Sequence, residues 1–167
     1  MYDRMKAKAY ADRWWNSRNP AFPNFPVDCT NFISQCLFAG GAPMNYTNNR
    51  AQGWWIRGDY RPGGPETWSY SWAVAHSLHW YLRTAQRGLR GELQATASAL
   101  QVGDVIQYDW NGDGRFTHSA MVTAFNDVGE PLVNAHTNNS YQRLWNYRDS
   151  PAWSGVTRYA FFAIVVS

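Results

Sequence analysis

Hydrophobic and polar positions follow two different periods along this chain, and the change of period separates a helical part from a strand part. In the first part, apolar residues recur every three or four positions, which predicts helices over about 2–15, 28–40 and 69–84. From about residue 92 onward the period falls to two, which predicts strands over 105–108, 116–124, 131–136 and 159–166. Helices followed by an antiparallel sheet form an α+β fold. No linker or internal repeat divides the chain, so we expect one domain over 1–167.

The predicted helix that begins at Asp28 is the most informative segment. Asp28 is a good N-cap, because its carboxylate can accept hydrogen bonds from the unpaired amides of the first turn. Gly40 and Gly41 end the helix. Its apolar face consists of Cys29, Phe32, Ile33, Cys36 and Leu37.

Cys29 therefore lies on the first turn of a buried helix, where the backbone dipoles favour an anion. A thiol in that environment loses its proton near neutral pH and becomes a nucleophile. The alternative is that Cys29 is simply the first core residue of an amphipathic helix, since free cysteines are often buried and inert.

The chain is unusually aromatic: 17% of its residues are Phe, Trp or Tyr, and 10 are Trp. This density indicates a rigid domain and a surface able to stack on sugars or peptides. Trp54 and Trp55 lie in a long irregular stretch over about 42–67. We expect one of them to fill the core from outside and the other to line a substrate groove.

Charge and cysteine content exclude several classes of protein. The net charge is +3, but Lys and Arg are scattered, so we expect no nucleic-acid partner, whereas an anionic polymer such as a bacterial cell wall fits. The two cysteines, Cys29 and Cys36, would have α-carbons about 10 Å apart on one helix, too far for a disulfide.

Membrane-spanning and targeting segments each have a recognisable sequence pattern. No stretch is long and apolar enough to cross a membrane. No signal peptide is visible, so the protein is either cytosolic until released, or a leader and neighbouring domains lie outside this sequence.

A nucleophilic cysteine needs a base and a polar group that orients the base. His118 opens a predicted strand after a turn-rich loop, and His136 ends the next strand. Antiparallel pairing would bring the two imidazoles close, and Asn138 could orient the base instead, since an amide oxygen accepts from an imidazole N–H. His76 and His79 share a helix face and could bind a metal, but no third ligand is evident nearby, which favours a hydrogen-bonded face.

A second possible site begins at Asp109. Asp109, Asn111 and Asp113 place oxygen atoms at alternate positions around Gly112, as in the opening of an EF-hand calcium loop. At the last ligand position Ala120 replaces the bidentate Glu, and a hairpin turn rich in Asx residues is the alternative. Bound calcium would brace the loop that leads into His118, while nothing else in the pattern requires a cofactor.

Several motifs, in order along nearly the whole chain, resemble the signature of the putative amidase domain family. They are DCTNFISQC at 28–36, GG at 40–41, WW at 54–55, SW at 71–72, GDVIQY at 103–108, HSAMVT at 118–123 and NAHT at 134–137. That family is similar to NlpC-type and CHAP cell-wall hydrolases, so the resemblance implies a papain-like fold.

In those relatives a helix-borne Cys is the nucleophile, a strand-borne His is the base and a polar residue orients the His. The resemblance implies these roles for Cys29, His118 and His136, with Asn138 as the alternative third member. The Cys29 amide would donate to the oxyanion, with Tyr10 or Asn24 as a candidate second donor. The residues expected around substrate and oxyanion are Asp28, Asn31, Tyr10, Trp54 and Trp55.

The resemblance further implies hydrolysis of peptidoglycan, either between muramic acid and the stem peptide or within the stem. We expect a monomer that is extracellular or associated with the cell wall. The rival interpretations are a non-catalytic module that binds cell wall or glycan, and a cysteine peptidase or transamidase that acts on proteins.

Overall fold

The computed structural model describes residues 1–58 and 67–167, and its helices precede its sheet along the chain. The described helices are α1 (Arg4–Trp14), α2 (Cys29–Ala39), α3 (Tyr70–Ala73) and α4 (Ala75–Thr84), with a 3₁₀ turn at Ala97–Ala99. Part of the irregular stretch predicted over 42–67 lies outside the described residues. None of the helices in the described ranges has the length and apolar character needed to span a membrane.

Six strands form one antiparallel sheet in the order β1-β6-β2-β3-β4-β5. Their bounds are β1 (Leu89–Gln94), β2 (Val105–Asp109), β3 (His118–Phe125), β4 (Pro131–Ala135), β5 (Ser140–Leu144) and β6 (Arg158–Val166). The predicted α+β layout is confirmed.

Side chains alternate between the two faces of this sheet and build a separate apolar cluster on each. Val105, Met121 and Phe162 point into the larger cluster, which also holds the buried residues of α1, α2 and α4. Ile106 and Tyr108 belong to the cluster on the opposite face. The helices therefore cover one face, and loops cover the other.

Helix α2 is the most buried helix of the fold. Every side chain from Cys29 to Leu37 is buried, including those at its polar positions. Gly40 caps its C-terminus as predicted, and Gly41 follows with a φ of +94°. A Cβ atom on Gly40 would lie 2.5 Å from the Tyr2 ring, so the glycine also permits the N-terminal segment to pack against the helix end.

The single helix predicted over 69–84 is wrong, because the chain is extended at Val74, with φ −119° and ψ 124°. In a continuous helix the Trp72 carbonyl would accept from the backbone N–H four residues later. Here it accepts a hydrogen bond of 2.8 Å from the Ser34 hydroxyl. The Trp72 carbonyl therefore bonds to a side chain of α2 instead of continuing the helix, and α3 and α4 are separate helices.

The strand part differs from the prediction at both edges of the sheet. Strand β1 begins at Leu89, before the predicted change of period, because it pairs with β6. Strand β5 was not predicted, since its sequence, SYQRL, is polar and most of it is exposed. An edge strand with one partner carries little hydrophobic alternation, so its sequence signal is weak.

Candidate active site

Cys29 is the first residue of α2, and its sulfur contacts the start of strand β3. The side chain is 3% exposed. Its Sγ atom lies 3.9 Å from the Thr117 carbonyl oxygen, to which the thiol can donate, and 3.8 Å from the Thr30 hydroxyl. The backbone N–H groups of Ser119 and Thr30 also point at the sulfur. The thiol is therefore surrounded by donors and lies against the backbone on both sides of His118.

The protonation of Cys29 differs from the sequence-based expectation. Burial raises the pKa of the Cys29 thiol above its usual value, and the negative charge of Asp28 adds to this. The N–H group of Ser119 and the hydrogen bonds of Thr30 oppose the rise in pKa without cancelling it. At neutral pH the resting cysteine is thus a thiol, because removal from water costs a thiolate more than the helix start returns.

His118 opens β3 as predicted, but its ring lies on the sheet face opposite α2. Alternation along the strand places Ser119 towards the helices and His118 among aromatic side chains of the other face, including Tyr108 and Trp110. Its Nε2 atom lies 3.0 Å from the Tyr147 hydroxyl. Burial, with help from the positive charge of Arg143, lowers the pKa of His118 to about 3. The imidazole is therefore neutral at physiological pH.

Tyr147 connects His118 electrostatically to the cysteine. Burial raises the pKa of Tyr147 to about 12, and the charge of a Cys29 thiolate contributes to this rise. The guanidinium carbon of Arg143 lies 3.9 Å from the centre of the tyrosine ring. Within the described residues no hydrogen bond joins the Cys29 sulfur directly to the imidazole, although catalytic hydrogen bonds are often long before substrate binds.

His136 does not contact His118, contrary to the expectation for a third member. Its Nδ1 atom lies 2.6 Å from Oδ2 of Asp28, and its Nε2 atom lies 2.6 Å from the carbonyl oxygen of Trp14. Both partners offer oxygen atoms, and the ring is held between them through its two nitrogens. Its face stacks on Phe32 with ring centres 3.8 Å apart. His136 thus ties the end of α1 to the start of α2.

The contact between His136 and Asp28 also explains why the expected N-cap hydrogen bond of Asp28 is absent. The residue stands at the N-cap of α2, but its side chain makes no capping hydrogen bond. Its carboxylate instead pairs with His136 and accepts from the Asn31 side chain at 2.9 Å. Because the carboxylate is turned away, the amides of the first turn are left for the sulfur and for any anion that forms beside it.

The other predicted oxyanion and orienting residues have separate positions. Asn138 is exposed, and the contact of its carbonyl is with the Ser140 hydroxyl. The Tyr10 hydroxyl donates to Gln35, nearly two helical turns beyond Cys29. Asn24 is exposed, and its side-chain oxygen accepts from an arginine.

The side chain of Asn31 is buried and fully hydrogen-bonded to other residues, so it does not face a substrate. Its amide nitrogen donates to Asp28 and to the Pro23 carbonyl, and its oxygen accepts from the Trp72 indole at 2.9 Å. All of its polar atoms are engaged in fixing the approach to α2.

Both residues of the tryptophan pair lie in the core. Trp54 is 0% exposed and Trp55 is 2% exposed. The Trp54 indole donates to the Ser34 hydroxyl, and the Trp55 indole donates to the Gln52 carbonyl. The expectation that one of them fills the core is met, but the expectation that the other lines a groove is wrong in this structure.

The loop considered for calcium is closed by its own backbone. The two carboxylate oxygens of Asp109 accept from the N–H groups of Asp113 and Gly114, at 3.3 and 2.8 Å. Asn111 and Asp113 are exposed. Across 1–58 and 67–167, no group of three or more His, Cys, Asp or Glu side chains is arranged to hold a metal. The arrangement fits the Asx-rich turn that the sequence offered as the alternative to a calcium site.

Tyr147 is the residue that sequence reasoning missed. It lies in an irregular segment after β5, with a φ of +57°, and no motif marks it. A tyrosine is also an ordinary core residue in so aromatic a chain. Only the tertiary fold brings its hydroxyl to His118.

Two surface grooves have Tyr70 in their lining. One, of about 330 Å³, borders the segment that leads into Cys29 and is lined by Phe25, Val27, Arg50, Trp68, Tyr70, Ala73 and Val74. A larger one, of about 480 Å³, lies along α4 beside Trp80 and His76. The smaller groove is the nearer of the two to the sulfur along the chain, because Val27 is two residues from Cys29.

The fold and the site together define an α+β domain that holds a buried thiol at a helix start, beside a strand that begins with histidine. The family described as putative amidase domain matches residues 1–160, and the chain belongs to that family. Membership of this family suggests a hydrolase.

A curated relative agrees with this assignment over nearly the whole chain. It is the uncharacterized protein YhbB of Bacillus subtilis (strain 168), 51% identical over 164 residues. The match covers 98% of this chain and 50% of that protein, so the chain spans about half the length of the relative. No solved structure matches the chain.

Proposed function

We propose that this chain is a cysteine-dependent amide-bond hydrolase with a papain-like site, and that it acts on bacterial peptidoglycan. Cys29 is the nucleophile, His118 is the base and Tyr147 is the group that orients the base. One observation carries this assignment: the Cys29 sulfur lies 3.9 Å from the carbonyl of Thr117, the residue directly before His118.

The reaction begins from a neutral thiol and a neutral imidazole. With Nε2–H of His118 donating to the Tyr147 oxygen, the unprotonated nitrogen is Nδ1. The proposed reaction requires the imidazole to turn from the opposite sheet face towards the sulfur when substrate binds, and Nδ1 then takes the thiol proton. As the proton leaves, the sulfur attacks the amide carbonyl carbon and forms a tetrahedral oxyanion. N–H groups at the start of α2 stabilise the oxyanion, and the Cys29 amide is the first candidate donor.

The same proton then serves the leaving group. His118 returns it to the amine nitrogen as the C–N bond breaks, which leaves a thioester on Cys29. A water molecule, deprotonated by His118, attacks the thioester carbonyl and releases the acid. Burial of His118 favours the neutral form to which the ring returns after each proton transfer.

The substrate class rests on charge, aromatic surface and family resemblance. A net charge of +3 suits an anionic wall polymer, and the groove beside Val27 offers Trp68 and Tyr70 for contact with sugar or peptide. We further propose that the domain acts as a monomer, outside the cell or on its wall, and needs no nucleic acid partner. The bond cut is either the link between muramic acid and the stem peptide or one within the stem.

Purified protein incubated with peptidoglycan tests the proposal. We expect new free amino groups to appear, and mass analysis of the fragments to identify the bond cut. Cys29→Ala should abolish the release. Cys36→Ala is the matched control, because Cys36 is a fully buried core residue on the same helix and should leave the release intact.

The rival functions predict different results. A binding module would retain peptidoglycan without releasing amino groups, and Cys29→Ala would leave that binding unchanged. A peptidase or transamidase directed at proteins would leave peptidoglycan intact and cut or couple a protein substrate, again through Cys29.

A further inference from the structure

A continuous chain of buried hydrogen bonds leads from α4, through the sheet, to the Cys29 sulfur. We name it the Thr30 chain; its members are Thr30, Ser119, Gln107 and His79. All four side chains are buried. The links are 3.0 Å between Thr30 and Ser119, 3.1 Å between Ser119 and Gln107, and 3.1 Å between Gln107 and His79. The reaction described above uses none of these four side chains directly.

The direction of donation is fixed at Gln107. Its amide nitrogen lies 2.8 Å from the Ala75 carbonyl, which can only accept, so the NH₂ group faces Ala75 and Ser119. The Gln107 oxygen therefore faces Nδ1 of His79, and that nitrogen must carry a proton. Gln107 thus accepts from His79 and donates to the Ser119 oxygen.

The direction continues from Ser119 to the sulfur. Because the Ser119 oxygen accepts from Gln107, its own proton is free for Thr30, which is its remaining hydrogen-bond partner within the described residues. The Thr30 oxygen then accepts from Ser119, and its proton points to Cys29, 3.8 Å away. Every member accepts from the α4 side and donates towards the sulfur.

His79, at the far end of the chain, is neutral. Burial lowers the pKa of His79 to about 4, and the neighbouring charges of Arg83 and His76 contribute. A neutral ring with its proton on Nδ1 leaves Nε2 as an acceptor, and the Arg83 guanidinium lies 3.5 Å from that atom. The Thr30 chain thus has the positive charge of Arg83 at its α4 end and the Cys29 thiol at its other end.

We propose that the Thr30 chain stabilises the Cys29 thiolate as it forms, and that Thr30, Ser119 and Gln107 are positioning residues for the nucleophile. Aligned donors polarise one another, so each added link strengthens the last hydrogen bond, from Thr30 to sulfur. No proton travels along the chain; only the dipoles respond to the new charge. This inference deepens the proposed function, on which it rests for the identity of the nucleophile.

The test is the pKa of the Cys29 thiol itself, measured from the ultraviolet absorbance of the thiolate against pH, with Cys29→Ala as the blank. Thr30→Val should raise the apparent thiol pKa by about one unit, which means about tenfold less thiolate at a fixed lower pH. Ser119→Ala should raise it by a smaller amount, and Gln107→Leu by less again. Thr30→Ser keeps the hydroxyl and should restore the original value.

Matched controls separate this effect from general loss of packing. Ser34→Ala removes a buried hydroxyl from the same helix, and Thr123→Val removes one from the same strand. The Ser34 hydroxyl bonds to Trp72 and Trp54, and the Thr123 hydroxyl bonds to Asn134. Both variants should lower the melting temperature without moving the thiol pKa. Equal pKa values in Thr30→Val, Thr30→Ser and the parent protein would overturn the inference. So would equal shifts in the controls.

The titration also separates this inference from the proposed function, because it needs no substrate. The titratable groups that interact electrostatically with the sulfur include Asp28 and Tyr147, with His118 and Arg143 next to Tyr147, and they are unchanged in all these variants. If Thr30→Val leaves the thiol pKa alone while Cys29→Ala abolishes hydrolysis, the Thr30 chain fails and the function stands. If the thiol pKa shifts as expected but no peptidoglycan is cut, the Thr30 chain stands and the proposed function fails.

Discussion

The Nε2 atom of His118 lies 3.0 Å from the hydroxyl oxygen of Tyr147, which joins the first residue of β3 to the irregular segment after β5. This hydrogen bond fixes the orientation of the imidazole, and in the proposed reaction Nε2 carries the proton and donates to Tyr147. In the proposed reaction Tyr147 therefore orients the base, the role for which His136 and Asn138 were the sequence-based candidates.

Replacing Tyr147 by Phe removes this hydroxyl and keeps the ring. We expect kcat for peptidoglycan hydrolysis to fall about tenfold, since one hydrogen bond of about 1.4 kcal/mol is lost from the base. Steady-state release of amino groups measures the effect. Tyr159→Phe is the control, because the Tyr159 hydroxyl donates to the Asn146 carbonyl and not to a histidine. An unchanged kcat in Tyr147→Phe would remove Tyr147 from the site.

The buried pair of Asp28 and His136 predicts a large effect on stability. Asp28→Asn removes a buried carboxylate from its contacts with His136 and Arg18, which should lower the free energy of unfolding by about 3 kcal/mol or more. Urea denaturation measures the loss. Asp149→Asn breaks a more exposed ion pair with Arg143 and should cost less than about 1 kcal/mol.

A double-mutant cycle on the same pair gives a sharper test. If the two side chains form an ion pair, adding His136→Gln to Asp28→Asn should cost much less than His136→Gln alone, with a coupling of about 1 kcal/mol or more. Additive losses would show that the two residues stabilise the fold independently.

The buried neutral histidines predict a stability that falls in acid. Burial lowers the pKa of His118 from its ordinary 6.5 to about 3, so between these values the unfolded chain binds more protons than the folded one. The free energy of unfolding therefore rises with pH through this window, by up to about 1.4 kcal/mol per pH unit for one histidine. His79, whose pKa is lowered to about 4, adds to the same slope.

Urea denaturation between about pH 5 and pH 7 checks this slope, above the range in which most carboxylates titrate. The parent protein should be less stable at the lower pH, and His118→Gln should flatten part of the dependence. A slope that is identical in His118→Gln would mean that His118 carries its ordinary pKa in the folded protein.

The loop that begins at Asp109 gives a prediction about calcium. Because both carboxylate oxygens of Asp109 already accept from backbone N–H groups, we expect the same melting temperature in calcium and in chelator. Thermal unfolding in the two buffers is the measurement. A rise in calcium that Asp113→Asn removes would instead establish a metal site, since a ligand that binds only the folded state raises its stability.

The period of hydrophobic residues was enough to predict the helices and strands that have one face or both faces buried. The helix that starts at Cys29 and stops at Gly40, and the strand that begins near His118, were visible because a repeated apolar spacing survives in one sequence. The α+β layout followed from the order of these elements. The pattern wrongly predicted a continuous helix through Val74, where a tertiary contact replaces a helical hydrogen bond. It did not predict β5, which is a polar strand at the edge of the sheet.

The sequence by itself determined which chemistry the site can contain: a cysteine at a helix start, a histidine at a strand start and the helices that precede the sheet. Tertiary structure decided the partners. It turned Asp28 away from its own helix towards His136, placed Tyr147 against His118, and aligned Thr30, Ser119 and Gln107 behind the sulfur. The physical reason is that spacing along a chain fixes which face a side chain shares with its neighbours. Burial, charge pairing and hydrogen-bond direction depend on residues that lie from 12 to 108 positions apart in these contacts.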